Sequence, residues 1–456
     1  MPTDSRTAGA LPASTRAYPW LVVALFLACY VFSYIDRQVL SLLVQPIKQS
    51  MGLSDTQIGL LQGFAFGVFY ALAGVPIAWL IDSGKRTRVA WICVGLWSLA
   101  TMGCGVVRSF AGLLAMRAST AIGEAGLPTA AMSIFSDLFE RRKLARATGF
   151  FVLGPFIGGG LALLMGAAVL NHFKGVAHVE VPLLGALEPW RIVFLAVGAP
   201  GLVLAAAVAL WVREPQRQAA VLPSGRADDV NQVLGIGLAA RILAAEHSYF
   251  IVYTLGLTLA VFVFFSLAAW FPTQLIRQFD IAPAGVGAML GPIFLGCGAV
   301  GTLIASTVAT AGGPADPLRR IYLVSGVCLA GLLAGVLTSF AATGLGATLA
   351  GYGASIFFLS GVMCLGPIPA QLVLPNRMRA QGMALQALVF SLLAAGGAPL
   401  LVGAISDGFL GAAPMPVGRA IALVSLPATL GSLLLLWMSF RMLYRRRDAL
   451  AAVQPG

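Results

Sequence analysis

The run WLVVALFLACYVFSYIDRQVLSLLVQ, from Trp20 to Gln45, carries charge only at Asp36 and Arg37, near its middle. As a helix it is long enough to cross a hydrocarbon core of about 30 Å, which takes about 20 apolar residues. In water an adjacent Asp and Arg would mean little. At membrane depth each costs roughly 2.5–3.5 kcal/mol, so each needs a partner, a wet cavity or a task.

Composition extends that reading to the whole chain. Its 456 residues are 59% hydrophobic and 10% charged, with a mean hydropathy of +0.90, too apolar for a soluble globule of this length. Long apolar segments near 19–45, 57–81, 88–108, 110–138, 145–171 and 189–212 are followed by a second set near 248–278, 284–311, 320–341, 344–373, 380–405 and 416–440. They lack the alternation of barrel strands, and only helices or closed barrels satisfy their backbone in lipid. The expected fold is an all-α membrane protein of twelve transmembrane helices.

Basic residues orient it. With the N-terminus inside, 21 of the 29 Lys and Arg fall on the inner side, six outside, and Arg37 and Arg117 within spans. That bias places both termini in the cytoplasm. The net charge of +12 is then a topology signal that calls for no nucleic acid. The polar first 17 residues carry no cleavable signal pattern. Six cysteines scattered through the spans form no metal motif or disulfide framework, so no metal or cofactor is expected. No histidine lies deep in a span, which removes the simplest imidazole proton relay.

The chain repeats itself. RATG at Arg146–Gly149 and RAQG at Arg379–Gly382 lie 233 residues apart, each after the fourth span of its set. The same offset carries Arg86 onto Arg319. Two pseudo-symmetric six-helix bundles follow, at 19–212 and 248–440. A cytoplasmic segment 1–18 precedes them, a linker at 213–247 with a short amphipathic helix joins them, and a basic tail at 441–456 ends the chain. Parallel repeats of this kind place a binding site between the halves near the midplane.

Four ionisable residues lie well inside spans, Asp36, Arg37, Arg117 and Glu124, all in the first half. The offset maps Asp36 to Ala269 and Glu124 to Phe357, so the second half offers an apolar wall. At 1.5 Å per residue Asp36 and Arg117 share a depth, and Glu124 is about 10 Å deeper on Arg117's face. Asp36 and Arg37 diverge by about 100° around their helix and make a poor mutual pair. The expectation is that Asp36 faces the cavity near Arg117, while Arg37 either reaches Glu124 or receives an anionic group.

GVPIAWLIDSGKRTR (Gly74–Arg88) and RASTAIGEAG (Arg117–Gly126) resemble the loop and fourth-helix motifs of the major facilitator superfamily, with Ser83 where a basic residue is usual and Ala121 where glycine is common. SYIDR, IGEAG and SDLFERRKLARATG together resemble its Spinster branch, with Ser33 in place of asparagine. The resemblance implies the major facilitator fold and a secondary transporter of amphiphilic lipids, of the lysophospholipid or sphingoid phosphate class. By position it makes Asp36 and Glu124 proton-coupling acids, Arg37 a polar cavity residue beside Arg117, and Asp82, Arg86 and Asp137 a cytoplasmic gate. GPFIGGG, with Gly154, Pro155, Gly158 and Gly159, resembles an antiporter motif and is a candidate point of helix flexibility; close packing explains these residues equally well. Trp270 and Phe357 are candidate apolar cavity lining.

No GxxxxGK[ST] loop or base–nucleophile set occurs, so direct ATP drive and enzymatic hydrolysis are not expected. The alternatives on the same scaffold are proton-coupled transport of a small hydrophobic drug or anionic solute, and a non-transporting lipid receptor or scramblase. The retained acids favour coupling. A monomer in a bacterial inner membrane is expected, its partners being protons, membrane lipids and the transported amphiphile.

Overall fold

The computed structural model describes residues 13–216, 248–311, 316–374, 376–408 and 415–453. The short amphipathic helix expected within 213–247 lies outside them. Among the described residues, eleven helical spans are long and apolar enough to cross a membrane. The remaining crossing, the fourth, consists of Phe110–Glu124 and Leu127–Leu138. It is interrupted because Pro128 has no amide to give the Glu124 carbonyl one turn earlier. The twelve crossings thus stand, in two sets of six, and a small hairpin, Val179–Val181 with Gly185–Leu187, follows the fifth. The last helix runs beyond residue 440, to Val453.

An even number of crossings puts both chain ends on one face, here the terminal face. The halves join from the midplane towards the opposite face. Crossings five (Arg146–His172) and eight (Pro283–Thr310) meet backbone to backbone. A Cβ on Gly160 would lie 2.9 Å from the Gly291 carbonyl oxygen, and one on Gly159 would lie 2.5 Å from the Phe294 ring. Gly154 and Gly158 do the same within the first half, against Tyr30 and against Tyr34 and the Val31 carbonyl. Here the glycine-rich stretch is a packing surface. Crossings two (Asp55–Ser83) and eleven (Gly382–Ser406) each contain a π-helical turn, Leu60–Phe64 and Phe390–Gly396. Ser391 Oγ donates across the seam to the Gly67 carbonyl at 2.9 Å.

The opposite face is closed by charge. Asp55, 2% exposed, accepts both terminal nitrogens of Arg277 at 2.7 Å, Lys48 Nζ at 2.7 Å and Ser406 Oγ at 2.9 Å. The helix that Asp55 begins is capped from both halves. Ser54 Oγ accepts the Gln57 amide, while Asp407 of the other half accepts the Asp55 and Thr56 amides and the Thr56 hydroxyl at 3.1, 2.6 and 2.7 Å. Amides left orphaned at a helix start are thereby satisfied across the seam.

Losing such a cap costs about 1–2 kcal/mol. Asp407→Ala is therefore expected to move the halves roughly tenfold towards separation at this face. Spin-label distances across the face will lengthen; an unchanged distance distribution would count against the clasp.

Candidate functional site

Crossings one and four bring the four intramembrane charges of the first half together. Arg117 Nη1 lies 2.9 Å from Asp36 Oδ2, both side chains 1% exposed. Arg37 Nε lies 2.5 Å from Glu124 Oε2, with the arginine side chain 17% exposed and the glutamate fully buried. Ser33 Oγ donates to the same Glu124 oxygen at 2.6 Å. Spacing alone left Arg37 with two destinations, and it takes Glu124.

One expectation needs correction. Asp36 does not face the cavity; Arg37 and Arg117 do, and both acids lie behind them. The short Asp36 side chain stays between its own helix and the fourth, whereas the longer arginine stems reach past the helix surface to the opening. Arg37 is also boxed by aromatic rings, its guanidinium carbon 4.2 Å from the centroid of Phe66, 4.9 Å from Tyr34 and 5.1 Å from Tyr70. Arg37 therefore stands between the cavity and Glu124.

The facing wall comes from the second half. Phe264, Phe265, Ala268 and Ala269 close the cavity opposite Arg37, so the position equivalent to Asp36 does lie at the seam. Gln38 Nε2 donates to the Ala268 carbonyl at 2.7 Å, and Gln62 Nε2 to that of Ala269 at 3.3 Å. The enclosed space is about 50 Å³. Ligand sites usually run to about 300–1,000 Å³, so a cargo can enter only as the halves part.

The two aromatic candidates lie elsewhere. Trp270 is fully buried and donates from Nε1 to the Pro399 carbonyl at 2.9 Å, tying crossing seven to eleven. Phe357 lines an apolar groove with Ile304, Val308, Leu323 and Val327, apart from the residues around Arg37. A 233-residue offset conserves depth but not the helix face, which depends on local packing.

At the terminal face, Arg86 pairs with Asp137 and with Glu214 Oε1 at 2.7 Å, and donates to the Pro215 carbonyl at 2.9 Å. Asp82 is exposed and takes no part in this cluster. Glu214 is a member the sequence reading missed, because a lone acid just past a span has no insertion cost to mark it. It also accepts the Thr87 amide at 2.9 Å and the Thr87 hydroxyl at 2.8 Å. Burial opposes its ionisation, yet Thr87 and Arg86 outweigh this and hold its carboxyl below the usual glutamate value.

Two six-helix bundles with a charged, glutamine-bridged seam at the midplane are the geometry against which relatives can be compared. The chain matches the Major Facilitator Superfamily over residues 26–399. It belongs to that superfamily. As a superfamily member it is a multi-pass membrane transporter, and its fold is that of transporters and not of enzymes. It is 29% identical to an MFS-type efflux pump of Mycolicibacterium smegmatis over 92% of both chains. It is 28% identical to protein spinster homolog 3 of Danio rerio over 84% of this chain and 76% of that one. Among solved structures it resembles a bacterial homolog of the human lysosomal transporter Spinster in an inward-facing, unoccupied conformation. That match has a TM-score of 0.75 and 25% identity, and covers 94% of this chain and 96% of the other. The likeness to Spinster noted in the SYIDR and GEA segments therefore extends across both halves.

Two outcomes check the charge geometry. A buried ion pair adds little net stability, but stripping one partner costs about 3–5 kcal/mol. Arg117→Leu should therefore sharply lower the melting temperature in detergent, and Asp36→Leu in the same chain should recover most of the loss. Additive losses would refute the pairing. For Glu214, a carboxyl held below its unfolded value stabilises the fold above about pH 4.3, and that contribution fades as pH falls through the folded value. Glu214→Gln should melt a few degrees lower at pH 7 and converge with wild type only as pH falls below the folded value of the carboxyl. A constant gap across that range would place its effect outside the carboxylate.

Proposed function

We propose that this transporter moves an amphiphilic lipid with an anionic head, of the lysophospholipid or sphingoid phosphate class, coupled to protons by alternating access. The observation that carries the reading is the Arg37–Glu124 pair, a fully buried carboxylate whose counter-ion lines the cavity and is the most exposed member of the cluster. An anionic head entering the cavity competes with Glu124 for Arg37. A carboxylate that loses its counter-ion in a dry site takes up a proton, so cargo and proton occupancy become linked through one guanidinium. Asp36 with Arg117 holds the neighbouring charge balance, and their unspent polar atoms, Asp36 Oδ1 and Arg117 Nε, give the cluster a second arrangement to adopt. The aromatic rings around Arg37 and the Phe264–Phe265 wall suit the apolar part of the cargo.

The basic-residue bias supports a cytoplasmic terminal face in a bacterial inner membrane. On that reading the structure is closed outside, and Arg86, Asp137 and Glu214 lie at the inner gate, with Asp82 awaiting a partner in the other state. The similarity to an efflux pump over nearly the whole chain favours a second reading, proton-coupled export of a small hydrophobic compound.

The test is flux in proteoliposomes under an imposed pH gradient, with a lysophospholipid and a hydrophobic cation as parallel cargoes. Wild type should move the lysophospholipid at a rate that follows the gradient. Asp36→Asn and Glu124→Gln should each abolish that dependence, at least tenfold, while the protein stays folded. Gradient-driven movement of the cation alone selects the export reading; undiminished coupling in both variants removes the acids from the mechanism.

A further inference from the structure

The ninth and twelfth crossings, Pro317–Ala341 and Val417–Arg446, enclose a groove of about 650 Å³ that neither the central cavity nor the seam uses. Its walls are Leu323 and Val327 on one helix and Leu433 and Trp437 on the other, with Gly326 on the ninth and Arg441 at one end. Leu323, Val327 and Trp437 are each more than half exposed, as surface facing hydrocarbon would be. The groove is open at Gly326, where an added Cβ would meet nothing within 4 Å.

Its polar end is distinctive. Arg441 lies one turn beyond Trp437, and its guanidinium carbon is 4.8 Å from the centroid of that ring. The cation is folded back against the groove wall by attraction to the ring face. From Leu433 to Arg441 the apolar channel is about 12 Å long, ending at the terminal face. Arg319, Arg445 and Arg446 are exposed at the same end of these two helices. Among the described side chains the acid there is Asp316, which accepts the Tyr444 hydroxyl and the Leu318 amide. The local balance is therefore cationic above an apolar trough, the complement of an acidic headgroup on an acyl chain.

We propose that this groove is a binding site for an anionic phospholipid of the adjoining leaflet, its chain between Leu323/Val327 and Leu433/Trp437 and its phosphate on Arg441. The lipid is resident and not transported, so the proposal stands independently of the cargo at Arg37.

Native mass spectrometry of the full chain, titrated with dioleoyl phosphatidylglycerol or dioleoyl phosphatidylcholine, tests it. Wild type should hold the anionic phosphatidylglycerol at least fivefold more tightly. Arg441→Gln should remove most of that preference, at about fivefold per cation near a membrane surface. Gly326→Leu, whose Cβ enters open space, should fill the groove and weaken both lipids severalfold, with melting temperature and monodispersity unchanged. Arg88→Gln, at an exposed position in the first half, should leave both affinities as they were. Equal affinity for the two lipids, an unchanged Gly326→Leu variant, or an Arg88→Gln effect matching that of Arg441→Gln would each overturn the site. So would a dimer cross-linked through Val327→Cys, which would assign the groove to a second copy of the chain.

Discussion

A charge held in a low-dielectric interior must have a counter-charge within contact distance, and that constraint organises this molecule. Asp36, Arg37, Arg117 and Glu124 all belong to helices of the first half. Their pairing sets how helices one and four lie against each other, at 2.9 and 2.5 Å between charged atoms. Each pair draws on a different helix face, because neighbouring residues point about 100° apart. Two adjacent residues in the first crossing therefore tie it to the fourth crossing at two depths, a separation that gives one pair access to water and denies it to the other.

The same economy operates where the halves meet. Close approach there needs glycine, and the glycines lie where crossing five meets eight and where two meets eleven. Polar groups at the seam are spent on backbone: Gln38 and Gln62 bond to the carbonyls of Ala268 and Ala269, and Asp407 bonds to amides at the start of crossing two. Such contacts specify a register between halves yet are few enough to be exchanged. A rocking transporter requires this combination, with rigid bundles inside and a sparse polar seam between.

Much of this was legible before any coordinates. The span pattern follows from hydropathy, and the two-fold plan from a repeated loop motif. The nearness of Asp36 to Arg117 follows from depth along ideal helices, since helix geometry is regular enough to carry a residue number into a height, whereas the partner of Arg37 stayed open. What was not legible shares one feature, the need to know which direction a side chain takes. Asp36 was expected in the cavity and lies behind Arg117. Phe357 was expected in the cavity and lies in a peripheral groove. Trp270 packs against crossing eleven. Glu214 and Asp407 sit just beyond spans, where a charge is unremarkable by composition and gains meaning only from the partner it meets.

Membrane insertion, twelve crossings, the duplicated plan and the identity of the four buried ionisable residues were determined by the sequence itself. Each depends on the free energy of moving individual residues into hydrocarbon, which is local to the chain. Which cation faces water, which acid it covers, and which face of the seam is clasped by Asp55, Arg277 and Asp407 were decided by the tertiary structure alone. Those outcomes depend on distances between helices far apart in the chain, and pairing energies at a few ångströms have no counterpart in one-dimensional order.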